Sequence, residues 1–253
     1  MDDTSKQHNL HSENRIEQFW IWLVMLPAVT LCGCGITANG WNAEGVKLYE
    51  AGHLTQAIER FQYALGTNDQ NSDAYYNLAV TYHQMGLQSK DQGFLKESEA
   101  LYNRCLDFEA NHTDCHRGLA VLLAQTDRQE KAVSLLTKWS QDQPHLANPR
   151  IELARLSQEL GDKDAARLHL EKACSIDKNS ARAWKALAAL NESEGRTEVA
   201  LAQYQRSYLL DNQQSQLPTR IASLNQQVRT ANGPLSTGSN TRIADENISR
   251  GRY

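Results

Sequence analysis

The sequence predicts an all-α fold, and three observations support this prediction. The 253 residues include only 4 Phe and 5 Pro beside many Ala, Leu, Gln and Asn, a composition that favours helices over strands. A pattern of small and large residues recurs about every 34 residues, which indicates repetition of one supersecondary unit. Near the C-terminus, a single apolar stripe marks one further helix, and it consists of Leu217, Ile221, Leu224 and Val228.

The composition limits the classes of function. With 40% hydrophobic and 22% charged residues, the chain has the makeup of a folded protein. Its net charge of −4 provides no basic field of the kind that nucleic-acid-binding domains carry. Nucleic acid is therefore not an expected partner.

Residues 1–33 are predicted to be a signal peptide or a membrane anchor. No charged side chain occurs between Phe19 and Ala43. The strongly apolar part, Phe19 to Leu31, has the length of the apolar core of a secretory signal, whereas a membrane-spanning helix needs about 20 residues. The preceding segment has four acidic and two basic residues, although signals favour a positive charge there. An uncleaved membrane helix from Phe19 to Ile36 therefore remains an alternative.

The segment Leu31-Cys32-Gly33-Cys34 resembles the lipobox of bacterial lipoproteins. That resemblance implies that Cys34 is diacylated and becomes the mature N-terminus, with residues 34–37 as the junction to the lipid anchor. It also implies a location in the bacterial cell envelope, and Gly35 in place of an aspartate favours the outer membrane. A metal site at Cys32 and Cys34 is less favoured, because no further ligand follows before His53.

The repeat is defined by columns of equivalent residues in five units. The units start at Ala38, Ser72, Thr113, Ala147 and Ala181. Unit position 8 holds a small residue: Gly45, Ala79, Ala120, Ala154 and Ala188. Position 20 is also small, with Ala57, Ser98, Ala132, Ala166 and Ala200. Position 24 is large, with Phe61, Tyr102, Leu136, Leu170 and Tyr204. The turn position 15, where positive φ is expected, has Gly52, Gly86, Asp127, Gly161 and Gly195.

These columns resemble the tetratricopeptide repeat (TPR). The resemblance implies a right-handed α-solenoid of five units, each an antiparallel helix pair, over residues 38–230. Residues 215–230 are predicted to form a C-terminal capping helix. Residues 231–253 lack an apolar period and are predicted to be a disordered tail.

Two irregularities carry further expectations. The second unit has seven extra residues near its turn, which should lengthen the turn or extend the helix ends. In the third unit Trp139 stands where the family prefers Ala, and Ser157 of the next unit stands where a large residue is usual. Side-chain volume is therefore expected to cross that interface.

The TPR resemblance implies that protein or peptide partners bind in a concave groove lined by the first helix of each unit. The residues predicted to face this groove are Asn42, Tyr76, Asn77, Arg117, Ile151, Arg155, Arg182 and Lys185. The four basic side chains among them belong to units three to five, which suits a ligand with carboxylates.

The segment Asn111 to His116 contains two histidines, an aspartate and a cysteine. A metal cluster is conceivable there, but helix capping by Thr113 or Asn111 with solvated histidines is the favoured interpretation. Whether Cys105 pairs with Cys115 depends on a Cα separation that the sequence does not give.

The sequence favours a non-enzymatic TPR scaffold or adaptor lipoprotein of the bacterial envelope. In layout it is similar to the small TPR lipoproteins that assist pilus or secretin assembly. The alternatives are a TPR adaptor with an uncleaved membrane helix, and a substrate-recognition subunit of a separate enzyme. No phosphate loop, nucleophile elbow or paired acid motif occurs, so no catalytic residue, cofactor, metal or small-molecule substrate is predicted.

Overall fold

The computed structural model describes residues 37–231, and this part of the chain is built from helices joined by short turns. The helices are α1 (Ala38–Glu50), α2 (Leu54–Thr67), α3 (Ser72–Ser89), α4 (Gln92–Phe108), α5 (Thr113–Gln125), α6 (Gln129–Asp142), α7 (Asn148–Glu159), α8 (Lys163–Ile176), α9 (Ala181–Ser193), α10 (Thr197–Leu210) and α11 (Leu217–Ala231). Consecutive pairs form five units, and α11 follows them, so the predicted all-α solenoid is confirmed.

Side-chain caps explain several of the helix starts. Thr37 accepts a hydrogen bond from the Gly40 amide before α1, Asn71 accepts from Ala74 before α3, and Ser180 accepts from Ala183 before α9. Each cap satisfies one of the free amides that a helix leaves at its N-terminus. The α5 cap is His112, whose Nδ1 accepts from the Cys115 amide. The predicted caps Thr113 and Asn111 do not serve this role.

The turns inside the units follow the sequence prediction except in the second. Gly52, Gly161 and Gly195 have φ of 81°, 85° and 75°, and Asp127 has φ of 57°. Gly86 instead lies inside α3. The left-handed residue there is Lys90, with φ of 56°, because the seven additional residues extend both helices of the unit. The prediction for Gly86 was therefore wrong in its conformation.

Gly86 is small for a steric reason. A Cβ built on it would lie 2.6 Å from Cδ2 of Leu95 in the following helix. The glycine therefore permits α3 and α4 to approach closely beside their turn.

The small and large columns form the core, as predicted. All the residues of positions 8, 20 and 24 are buried. Ser98 substitutes for alanine at position 20 by donating from its hydroxyl to the Ala79 carbonyl at 2.8 Å. This bond pairs a hydroxyl that would otherwise be buried without a partner.

The extra volume of Trp139 is accommodated within its own unit and the preceding loop. Its indole stacks on the imidazole of His116 with ring centroids 3.9 Å apart, and its Nε1 donates to Asn111. Leu153 and Leu156 of the next unit belong to the same apolar cluster as Trp139, but the ring and hydrogen-bond contacts of Trp139 are to His116 and Asn111 and not to Ser157.

The two helices of each unit have different surroundings. First helices α1, α3, α5, α7 and α9 contact one another from unit to unit, whereas the second helices of neighbouring units within residues 37–231 do not. The first helices therefore lie on the inner side of the curve, which we call the concave face. The second helices form the convex face.

Helix α11 closes the array at its C-terminal end. Leu217 and Leu224 are buried with Tyr204, and Ile221 packs against the same cluster. This apolar stripe against α10, with polar residues on the opposite side, agrees with the predicted capping helix, whose observed bounds are Leu217–Ala231.

Three sequence predictions concern residues beyond the described range: the signal or anchor 1–33, the lipidation site Cys34 and the tail after Ala231. Within residues 37–231, no helix is both long and apolar enough to cross a membrane.

Candidate functional site

The concave face is the candidate site, because the first helices present side chains there that keep part of their surface accessible. Its first part spans units one and two. The Asn77 amide donates to the Asn42 side chain at 3.0 Å, across the boundary between these units. Tyr76 lies beside them, half-buried, with its ring centroid 5.6 Å from that of His112. Burial raises the pKa of the Tyr76 hydroxyl, so this group stays a neutral donor and acceptor at physiological pH.

Position 9 of the first three units forms an apolar row on this face. Val46, Val80 and Val121 occupy the position, and each is only partly buried. The row continues in unit four with Arg155, which borders one shallow depression together with Val121. Arg155 of this position was predicted from the sequence to face the groove, but the valines were not singled out. Their recurrence at one position was the available signal.

A buried carboxylate lies beneath the second part of the face. The side chain of Glu152 in α7 is only 1% exposed. Arg117 of α5 donates to it from Nε at 3.0 Å and from Nη2 at 2.8 Å, and Arg182 of α9 also donates to it. Arg117 additionally pairs with Asp114 at 2.8 Å. We call these four residues the Glu152 network.

The Glu152 network links three consecutive units and neutralises its own charges. Hydrogen bonds to Glu152 are the largest cause of the raised pKa of Arg117, so this guanidinium stays charged. Two arginines face two carboxylates, and the network adds no net positive charge to the face. Arg117 and Arg182, predicted as ligand-binding cations, are thus engaged by the protein itself.

Sequence reasoning missed Glu152, although its spacing provided a signal. It follows Arg117 by 35 residues and precedes Arg182 by 30, close to one repeat in each direction. Charges at such spacing meet on adjacent first helices.

The remaining predicted groove residues differ in accessibility. Ile151 is 5% exposed and packs in the core cluster with Ala154 and Leu170. The prediction that Ile151 faces the groove is thereby corrected: α7 turns this side chain inward and places Arg155 outward. Arg155 is exposed and pairs with Glu159 one turn later at 3.1 Å. Lys185 is exposed on α9.

The histidines of the Asn111–His116 segment are buried, not solvated as predicted. His112 is 8% exposed and His116 is 6% exposed. Burial lowers the pKa of His116, while its Nε2 lies 3.0 Å from the Ala110 carbonyl, and we assign the proton to that nitrogen. Nearby, Cys105 and Cys115 form a disulfide with their Cα atoms 6.6 Å apart.

Comparison with known families agrees with this architecture. Residues 45–86 match a family model described as "TPR repeat", and residues 148–180 match one described as "Tetratricopeptide repeat". The first segment runs from α1 into α3, and the second covers the helix pair of unit four. Among curated proteins, none matches the chain significantly in sequence.

Comparison with solved structures gives the same result. The chain is similar to TTC0263, a thermophilic TPR protein of Thermus thermophilus, with 25% sequence identity and a TM-score of 0.55. That alignment covers 75% of this chain and 100% of the other. A looser likeness, to pilF of Pseudomonas aeruginosa, has 20% identity and a TM-score of 0.47 over 78% of this chain and 93% of that chain.

Proposed function

Because this chain is a tetratricopeptide repeat protein, we propose that it is a non-enzymatic scaffold of the bacterial cell envelope. In this proposal the concave face holds an extended segment of a partner protein. A lipid on Cys34 tethers the array to a membrane, with the outer membrane favoured.

The single observation that carries the binding proposal is the accessible row on the concave face. Val46, Val80 and Val121 offer apolar surface over three units, and Arg155 and Lys185 follow with exposed positive charge. An extended segment that spans several units can place apolar side chains on the valines. Carboxylates further along the same segment can then meet the two cations.

The charge part of this proposal differs from the one drawn from sequence. Arg117 and Arg182 are bonded to the buried Glu152, whereas the partner of Arg155, Glu159, is exposed. Recognition is therefore left to Arg155 and Lys185. Replacing both of these with Glu should weaken partner capture at least tenfold, because attraction for carboxylates becomes repulsion. A matched control is the replacement of Lys163 and Lys172 with Glu.

Those two control lysines are exposed on α8, a second helix. The change in net charge is identical in both variants, so they differ only in whether the substitutions lie on the concave or the convex face. Equal loss of capture in both variants, measured by quantitative co-purification of the partner from cells, would contradict a concave binding site.

The anchor proposal depends on the resemblance of Leu31-Cys32-Gly33-Cys34 to a lipobox. Helix α1 begins at Ala38, four residues after Cys34. Four residues span at most about 14 Å. A lipid on Cys34 would therefore hold the first unit next to the bilayer, while the later units extend away from it.

Substitution of Cys34 separates a lipoprotein from an uncleaved anchor. Cys34→Ala should abolish labelling by a palmitate analogue and leave a heavier precursor, because the lipobox offers its lipid donor no other thiol at that position. Cys32→Ala is the matched control and should be labelled and processed normally. An intact N-terminus on the wild-type protein would favour the uncleaved helix from Phe19 to Ile36.

A further inference from the structure

Three side chains with metal-binding chemistry meet where α4 passes into α5. Cys105 lies in the last turns of α4, Cys115 lies in the first turn of α5, and His112 precedes that helix. One ligand atom from each lies within 4.8 Å of the others, and all three residues are buried. This group is separate from the concave-face residues proposed to contact a partner.

The orientation of His112 is fixed by two hydrogen bonds. Its Nδ1 accepts from the Cys115 amide at 3.2 Å. Its Nε2 lies 3.2 Å from Oδ1 of Asp73 in the preceding unit. Since Nδ1 accepts, Nε2 carries the proton and donates to Asp73. The lone pair on Nδ1 therefore points to the backbone amide of Cys115, and a ligand atom of His112 lies within 4.8 Å of both sulfurs.

A carboxylate behind a histidine is common in metal sites, where it fixes the tautomer and the direction of the ring. Histidine is also an unusual helix cap, since Ser, Thr, Asn and Asp are preferred. Residues of that preferred kind cap α1, α3 and α9 in this chain: Thr37, Asn71 and Ser180. The imidazole at the α5 cap can in addition act as a metal ligand, unlike the side chains of Thr37, Asn71 and Ser180.

The disulfide and a metal ion compete for the same sulfurs, because a metal binds thiolates. The Cα atoms of Cys105 and Cys115 are 6.6 Å apart, near the upper end of the range that disulfides span. In a tetrahedral zinc site with Zn–S bonds of about 2.3 Å, the two sulfurs stand about 3.8 Å apart. The wide Cα separation leaves room for that arrangement without a large movement of α4 against α5.

We propose that the reduced form of this chain binds one thiophilic metal ion through Cys105, Cys115 and Nδ1 of His112, and that the oxidised form holds the disulfide instead. Reduction by a dithiol, which is itself oxidised to a disulfide, transfers two electrons and two protons to the Cys105–Cys115 bond and leaves two thiols. Binding of Zn²⁺ then releases both thiol protons, and the ion replaces the Cys115 amide as the partner of Nδ1. Two thiolates and an imidazole suit Zn²⁺ or Cu⁺.

The test measures metal binding by the full-length chain in both redox states. Cys32 and Cys34 are replaced by Ser in every sample, so that they contribute no thiolate. A water-soluble phosphine serves as the reductant, since it donates the electron pair, takes oxygen from water and adds no competing thiol. Zn²⁺ and Cu⁺ are titrated separately against chromogenic chelators. The reduced chain should bind one equivalent of at least one ion, and the oxidised chain should bind none.

Point variants locate the site. His112→Asn keeps a residue that can cap α5 but removes the imidazole, and it should weaken binding at least tenfold. Asp73→Asn should weaken binding by about 10- to 100-fold, as loss of the carboxylate behind a metal-binding histidine does. Cys174→Ser removes the remaining buried thiol of residues 37–231 and should leave binding unchanged.

Three results would overturn the proposal. The first is no binding of either ion by the reduced chain. The second is equal binding in both redox states. The third is binding that is lost with Cys174 but retained in His112→Asn. The comparison of redox states uses the same polypeptide in both arms, so it does not depend on the folding of the His112, Asp73 or Cys174 variants.

Discussion

Removal of the Glu152 carboxylate tests how the concave face is built. Glu152→Ala leaves Arg117 and Arg182 facing each other without the anion that they share. Breaking a fully buried ion pair typically costs about 3–5 kcal/mol. The two arginine side chains are 32% and 39% exposed, so water can partly solvate them, and we expect a loss of about 2–3 kcal/mol.

The expected loss is large enough for a thermal assay. In an array of this size, 1 kcal/mol corresponds to about 2–4 °C in Tm. Glu152→Ala should therefore melt about 5–10 °C below wild type when helical circular dichroism is followed. Glu159→Ala is the matched control on the same helix, because it removes an exposed partner of Arg155 and should cost less than about 0.5 kcal/mol.

A third variant separates the ion network from simple loss of packing. Replacing Arg117 with Met, Glu152 with Leu and Arg182 with Met removes the two arginines and their shared carboxylate together. Asp114 remains, but it is 49% exposed and stays solvated. Apolar replacement of the buried carboxylate together with its two partners is often neutral or stabilising, so this variant should melt close to wild type. If Glu152→Ala melts within about 2 °C of wild type, the carboxylate does not hold the three units together and the reasoning fails.

Two further predictions concern pH and the disulfide. Burial lowers the pKa of His116 in the folded chain, so below about pH 6.5 the unfolded chain binds the proton more readily than the folded chain does. The free energy of unfolding is therefore unaffected by His116 above about pH 6.5 and declines as the pH falls below that value. His116→Phe keeps an aromatic ring stacked on Trp139. This variant should lose less unfolding free energy than wild type between pH 7 and 5, as measured by urea titrations at each pH. An unchanged dependence on pH would exclude His116 as a cause of the loss. Reduction of Cys105–Cys115 with a metal chelator present should lower the unfolding free energy by about 3 kcal/mol, because the bond closes a loop of 10 residues. An unchanged urea midpoint after complete reduction would contradict this estimate.

The repeat could be predicted from sequence because one steric requirement recurs in every unit. A small residue where two helices cross and a large residue that fills the adjacent space produce a column that is visible without a structure. Ala79 and Ala188 are both fully buried for this reason. The capping helix was predictable in the same way, since its apolar stripe has a helical period.

Deviations from the period were harder to place. The sequence placed Gly86 in a turn by alignment with the other units, but the longer helices of unit two move the left-handed residue to Lys90. When a unit contains an insertion, the aligned column does not show whether the helix before the insertion ends there or continues through it. Position 86 still requires a small residue, because Leu95 lies close to it, but it does not require a positive φ.

The candidate site was less predictable than the fold, because its chemistry depends on which side chains meet between units. Arg117 and Arg182 have the types and positions of ligand-binding cations, yet Glu152 engages both. Ile151 and Arg155 are four residues apart on one helix, but the first is buried and the second exposed. His112 caps a helix through an imidazole, an arrangement that propensity alone does not predict.

The central claim, that the concave face captures a protein partner, is tested most directly by photo-crosslinking in cells. A photoreactive amino acid is placed at Val121 on α5, and in a separate strain at Leu168 on α8, which is 66% exposed on a second helix. We expect the Val121 position to give one discrete adduct with a partner protein and the Leu168 position to give none. An adduct from Leu168 with no adduct from Val121 would place the partner on the convex face and contradict the account.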